Sequence, residues 1–336
     1  MAVRLKDIAQ DLGVSTVTVS KVLRGNPDIG ERTRALVLKR MQELNYRPNM
    51  LARGLASGRS FAVGLVVPDL VHPFFGEFAK AIGGLLRQHG LALVLASSEE
   101  DPEVERQEIH TLLSRGVDVL IVASCQPEPF DVELFREHKT PFLLVDRNFP
   151  SLDANFVGSD DVKVGELATQ HLIEIGRKRI AHIGGQGMSP SVNRLRGYQD
   201  ALAAAGLVVR PELIVTRDRF EETGDSAGYQ AMQELLARTP RPDAVFCYND
   251  LSAIGAMKAT MDAGLRIPED IAFVGCGNLR YAEYLKVPLT SIDHSTQQMG
   301  ERAAQLALHL ATTPSAPIQA ILTPPKLVVR QSSVAS

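Results

Sequence analysis

Cysteine is scarce in this 336-residue chain: Cys125, Cys247 and Cys276 are widely spaced and form no CxxC pair. That argues against a disulfide framework and a cysteine-based metal site, and it predicts reduced thiols in or near strands of a cytoplasmic protein. Long apolar runs are missing too. No stretch reaches the roughly 18 residues of a membrane span, and the opening "MAVRLKDIAQ" lacks the apolar centre of a secretory signal. Catalytic signatures are equally absent, with no GxSxG, HExxH or phosphate-binding P-loop. "GGQG" (184–187) and "GCG" (275–277) follow strand-like runs without completing GxGxxG, so both read as strand-to-helix turns. His182, inside a strand-like run, reads as a core or rim histidine. The expectation is a protein with no catalysis, no cofactor, no metal and no membrane contact.

What is present begins with an asymmetry of charge. Residues 1–60 carry 11 Lys/Arg against 5 Asp/Glu, a balance of +6, while the whole chain is −3 and the remainder therefore −9. A basic module on an acidic body is expected when one end alone meets phosphate. Within that module, "LKDIAQDL" spaces Leu5, Ile8, Ala9 and Leu12 as one face of an amphipathic helix, and Gly13 stands at its C′ position. The next stretch, "STVTVSKVL" (15–23), is rich in β-branched residues and at first reads as a strand. Val19, Val22 and Leu23 instead keep i, i+3, i+4 spacing, Ser15 is a good N-cap, and Val14 and Val19 occupy staple positions. A third helix follows around Val37, Met41 and Leu44 and ends near Tyr46 and Pro48. The pattern is a helix-turn-helix with a supporting helix. Its second helix turns Thr16, Val17, Ser20 and Lys21 outward: hydroxyls, a methyl surface and an amine suited to a major groove.

From Phe61 onward, short β-rich runs alternate with helix-length segments. The runs are "AVGLVVP", "LALVLAS", "VDVLIVA", "PFLLVD", "ANFVGS", "RIAHIGG", "LIVTR", "DAVFCYN" and "DIAFVGC". Such alternation predicts parallel sheets covered by helices, here an α/β core of two doubly wound lobes with a ligand site between them. Between module and core, "NMLARGLAS" is a helix of about two turns, too short to stand alone in water.

These stretches, together with "YRPNMLARGL", "VGLVVPDLVHPFF", "RLRGYQDAL", "DAVFCYNDLSAIGAMKA" and "GLRIPEDIAFVG", resemble the lac repressor/galactose repressor family of bacterial regulators along essentially the whole chain. The resemblance implies a helix-turn-helix domain over 1–48, a hinge helix over 49–60 and a periplasmic-binding-protein-like, effector-binding and dimerisation core over 61–330. In that core the N-lobe is expected at about 61–158 and 292–318, and the C-lobe at about 159–291 and 319–330. It implies a homodimer on a pseudo-palindromic double-stranded operator, acting as a repressor under control of a sugar or sugar derivative. Thr16, Val17 and Lys21 match base-reading positions, and Ser15, Ser20 and Asn26 match phosphate contacts, with Tyr46 near the same surface. Leu55 matches a minor-groove wedge, with Ala52 and Arg53 beside it. In the core, Phe74, Phe75, Asp146, Arg147, Arg194, Phe220, Asn249 and Asn278 are implied as effector contacts, Asp250 being a neighbouring acid.

The sequence departs from the family pattern in places. The acid expected at Gly277 is missing from "GCGN", Asp161 replaces the usual Asn, a usual His is absent at Arg177, and the end "VVRQSSVAS" has no heptad tail for a tetramer. Losing that acid beside Arg147 and Arg194 predicts a more positive pocket that accepts a phosphate or carboxylate, unless Asp146 or Asp161 supplies the acceptor. The alternative readings are a solute-binding protein without DNA function and a sugar-processing enzyme.

Overall fold

Three short helices with one shared apolar face open the chain: α1 (Leu5–Leu12), α2 (Thr16–Leu23) and α3 (Glu31–Glu43). The computed structural model describes residues 3–23, 26–46, 54, 58–129, 133–185, 187–216 and 224–334, and it divides into units Met1–Ser60 and Phe61–Ser336. Gly13 ends α1 in the left-handed region at φ 63°, the conformation that favours glycine. The Thr18 N–H donates to Ser15 Oγ at 3.0 Å, so Ser15 caps α2 as its sequence predicts. Ile8, Ala9, Val19, Val22, Val37 and Met41 form the core. Packing explains why α2 is helical. Its β-branched residues each cost at most about 0.7 kcal/mol of propensity, whereas burying Val19 and Val22 returns roughly 1.5–3 kcal/mol apiece.

The second unit holds two lobes, each on a six-stranded sheet. The first lobe contains β1 (Ala62–Val67), β2 (Ala92–Ser97), β3 (Val119–Val122), β4 (Phe142–Val145), β5 (Asn155–Ser159) and β11 (Ala320–Thr323), with helices α4 (Pro73–Gln88), α5 (Pro102–Ser114), α6 (Glu133–Glu137) and α11 (Thr296–Thr312). The second contains β6 (Ile180–Ile183), β7 (Ile214–Val215), β8 (Ala244–Cys247), β9 (Ala272–Cys276), β10 (Thr290–Asp293) and β12 (Lys326–Val328), with α7 (Asp161–Glu174), α8 (Ser189–Ala204), α9 (Gly224–Leu236) and α10 (Asp250–Asp262). Strand orders are β11-β5-β4-β3-β1-β2 and β12-β10-β9-β8-β6-β7. All pairings are parallel except β10 with β12. Each sheet reverses direction beside its first strand, and in such sheets ligands sit outside the carboxyl ends at that switch point.

All nine expected strands form. Two lobe boundaries need correction. β11 pairs in parallel with β5, Ala320 opposite Phe156, so 319–323 belongs to the N-lobe rather than the C-lobe. β10 lies wholly in the second sheet, pairing with β9 and β12, so the chain crosses after Asp293 and not within the strand. Both strands lie beyond the strand–helix alternation of the sequence, and their membership is decided by pairing. The cysteines are free and buried, and His182 is a core residue, stacked on Phe246 at 4.9 Å.

Glycines set how closely the helices of the second lobe cross. A Cβ on Gly197 of α8 would lie 2.0 Å from the Val162 carbonyl oxygen on α7, and one on Gly165 would lie 2.1 Å from that of Arg194. Backbone meets backbone there, and no flexible side chain can yield. Gly197→Ala should therefore cost about 1–3 kcal/mol or more through forced separation of the helices, read as a lower urea midpoint with an unchanged m-value.

Candidate functional site

The outward face of α2 carries the groups expected to read DNA. Thr16 is exposed and Val17 is 60% exposed, an apolar surface without a partner in the helical core. Ser20 and Lys21 are half-exposed. Lys21 Nζ stands 3.5 Å from Asp28 Oδ2, both side chains substantially solvated, and such pairs contribute about 0–1 kcal/mol, so a base or phosphate can displace the carboxylate. Ser15 spends its hydroxyl as the helix cap. Asn26 accepts the Asp28 N–H at 3.0 Å through Oδ1, which orders the turn after α2. Tyr46 packs against the three-helix core, and burial raises its phenol above the ordinary value. The predicted contacts Ala52, Arg53 and Leu55 lie outside the described residues.

In the second unit the carboxyl ends of the two sheets meet. The Asn148 N–H donates across the junction to Ser189 Oγ at 2.9 Å. Asn249 Nδ2 faces His72 Nε2 at 3.4 Å. Both side chains are helix caps: His72 Nδ1 accepts the Phe74 N–H at 3.3 Å, and Asn249 Oδ1 accepts the Ser252 N–H at 2.8 Å. With Nδ1 accepting, the neutral imidazole carries its hydrogen on Nε2. Two donors then face each other, an arrangement that one ligand oxygen satisfies. Burial lowers the His72 pKa to about 4, keeping it neutral.

Charges at this junction are paired. Arg194, 4% exposed, donates through Nε to Asp161 Oδ1 at 2.8 Å and through Nη1 to the Tyr248 carbonyl at 2.8 Å. Its guanidinium lies over the Tyr248 ring, 4.8 Å from the centroid. Burial raises the Asp161 pKa, and the Arg194 charge and hydrogen bond oppose that rise. Arg147 grips Glu100 with both terminal nitrogens, at 3.0 and 2.8 Å. Asp146 stands beside it in the left-handed region at φ 61°. Burial pushes its carboxyl up to about 6, against the pull of Arg147.

Several sequence expectations change here. Phe74 and Phe75 belong to the apolar core of the first lobe, with Phe74 stacked on Phe78 at 5.9 Å, and the ring above them is His72. Asn278 is already committed. Its Oδ1 accepts from Arg330 Nη2 at 2.7 Å, and its Nδ2 donates to Asp293 at 3.4 Å. Gly277 has φ 125°, a conformation L side chains rarely adopt, so an acid at this position would be strained in this loop backbone. Asp250 holds that loop by accepting from Leu279 N–H and Ser291 Oγ. The expected excess of positive charge is not there: Glu100 and Asp161 neutralise the two arginines, and Asp146 adds a further carboxyl. Phe220 lies outside the described residues. His72, Glu100 and Tyr248 were not singled out in the sequence. The only available signal was that each sits just past a strand's carboxyl end.

A polar groove of about 480 Å³ lies to one side, lined by Glu77, Asn278, Asp293 and Glu301 among others. It shares only Asn278 with the implied effector set and holds none of the paired arginines. The junction, where donors and acceptors from both lobes converge, is the better candidate site.

Comparison with known proteins identifies the family of the chain. Residues 4–49 match the family described as bacterial regulatory proteins, lacI family, and residues 169–333 match a periplasmic binding protein-like domain. The chain is 34% identical to the HTH-type transcriptional regulator GalR of Escherichia coli K12 over 329 residues, covering 98% of this chain and 95% of that one. It is 32% identical to the ribose operon repressor of the same organism over 334 residues, covering 98% and 99%. The crystal structure of the lac repressor dimer bound to operator and the anti-inducer ONPF superposes with a TM-score of 0.84 at 26% identity, covering 100% of both chains. The chain belongs to the lacI family of bacterial regulatory proteins.

Proposed function

We propose that this DNA-binding transcriptional regulator is a homodimeric repressor in the cytoplasm. On this reading α2 of each protomer reads one half of a pseudo-palindromic operator, and a neutral sugar or polyol binding between the lobes changes operator affinity. The observation that carries the effector class is charge balance: each buried arginine at the junction has a carboxylate partner, at 2.8 Å in both cases. What is left for a ligand is a set of hydroxyl-sized partners, namely the facing donors of His72 and Asn249, the Arg147 Nε and the Asp146 carboxyl. An effector acts only through its differential affinity for two lobe arrangements, and groups contributed by both lobes provide it. The name of the ribose operon repressor points to a sugar, and the solved lac repressor dimer supports the dimer on DNA. No residue is assigned a catalytic part.

Two tests follow from this reading. DNA selected from random sequence by the full chain should show Lys21→Ala costing about 1–3 kcal/mol at one position of each half-site, with relaxed choice there. Equal loss on non-specific DNA would reduce Lys21 to a phosphate contact. The second test is pH. The Asp146 carboxyl, raised to about 6, is charged above that pH and neutral below it. Hydroxyl donors bind the charged form better, so effector affinity should be full at pH 7.5 and fall as pH drops through 6. Calorimetry at pH 7.5 and 5 checks this, and Asp146→Asn should flatten the profile.

A further inference from the structure

Arg147 is 9% exposed, and the way its donors are used is unequal. Nη1 donates to Glu100 Oε2 at 3.0 Å and to the Ser124 carbonyl at 3.3 Å, and Nη2 donates to Glu100 Oε1 at 2.8 Å. Nε is buried without a hydrogen-bond partner, 3.9 Å from Asp146 Oδ2. The end-on fork, the face a ligand carboxylate or phosphate takes in bidentate fashion, is therefore filled by a carboxylate of the chain itself.

The backbone that delivers this carboxylate adopts a costly conformation. Glu99 and Glu100 are consecutive non-glycine residues in the left-handed region, at φ 52° and 55°, which carries a steric penalty for L-residues. Their turn is fastened on both sides: the Glu100 N–H donates to the Pro68 carbonyl at 2.9 Å, and the Asp101 N–H to that of Ser98 at 2.8 Å. Asp101 then caps α5 by accepting from Glu103 N–H at 2.7 Å. The turn thus runs from the end of β2 to the start of α5 and lays Glu100 against Arg147 at the end of β4. Strain persists where surrounding structure over-determines it, and such places cluster at ligand sites.

We propose that Glu100 is the specificity-determining residue of the interlobe site, an internal anion that occupies the Arg147 fork and so makes the site select neutral over anionic effectors. This deepens the effector reading above and rests on it. A ligand bearing a phosphate or carboxylate would have to displace Glu100 or lie against the carboxylates of Glu100 and Asp146. A neutral hydroxyl needs only the Nε hydrogen, which the pairing leaves free. Removing the Glu100 charge while keeping its shape opens the fork and leaves the buried Arg147 cation with the more distant Asp146 carboxylate as its counter-charge.

The test compares the wild-type full chain with Glu100→Gln and with the double variant Glu100→Gln/Arg147→Gln. Probes are D-galactose, D-galacturonate and inorganic phosphate, read by calorimetry and thermal shift at constant ionic strength set with chloride. Glu100→Gln should gain on the order of tenfold or more in affinity for galacturonate and phosphate, and the double variant should lose that gain. If Glu100→Gln is too unstable to titrate, phosphate or galacturonate should restore its thermal midpoint where chloride does not. A folded Glu100→Gln without the gain, an unstable one without selective rescue, or a wild-type chain that already binds the anions as well as galactose overturns the proposal. Failure of the effector reading looks different: neither galactose nor a wider panel of neutral sugars would bind the wild type, while the anion gain at Arg147 would still be measurable.

Discussion

The ion pair between Arg194 and Asp161 is the contact on which the larger unit depends. Both groups are almost fully buried, where an unpaired charge is severely penalised and a pair persists only with good geometry and further hydrogen bonds. Those conditions reach outward through the fold. α7 and α8 must cross closely enough for the groups to meet, hence Gly165 and Gly197 at the crossing. The loop after β8 must present the Tyr248 carbonyl and ring to the same guanidinium. Asn249, the next residue, is thereby set to cap α10 and to face His72 in the other lobe. One charge pair thus links helix packing, strand ends and the junction between the lobes.

The first lobe solves the same problem differently. Arg147 is also buried, but its partner comes from a turn rather than a packed helix, and that turn holds two residues in the left-handed region. Where parallel strands end facing another lobe, backbone and side-chain polar groups leave water together, so each must find a partner inside the protein. Most do so here. Arg147 Nε is one that does not, and with the facing groups of His72 and Asn249 it makes the junction read as a binding site. A modest change in partner, such as Glu100 in the fork of Arg147, then decides what chemistry the site accepts.

In the N-terminal unit the decisive balance is between local preference and burial. The β-branched residues of α2 favour an extended chain, yet Val19 and Val22 in the core and the Ser15 cap outweigh that preference. The same composition leaves Thr16 and Val17 on the outside, where side chains stiff at χ1 lose little entropy on meeting a surface. A helix held by its neighbours rather than by its own propensity can carry residues chosen for recognition.

The sequence by itself determined the helix-turn-helix, the nine principal strands, the two-lobed plan and the residues facing outward on α2. Each of these rests on short-range periodicity, capping and glycine placement, which are local and therefore legible. Tertiary structure alone decided the membership of β10, β11 and β12, because these three strands follow the last strand–helix alternation and are defined by the strand they pair with. It also decided the character of the junction. Phe74 and Phe75, implied as effector contacts with Phe75 equally readable as core, pack into the core of the first lobe, Asn278 is held by Arg330 and Asp293, and the expected positive pocket is neutralised by Glu100 and Asp161. Glu100 and Arg147 are 47 residues apart, and Asp161 and Arg194 are 33 apart. No pattern along the chain encodes such pairings, since electrostatic partners are chosen by distance in space after the sheets have formed.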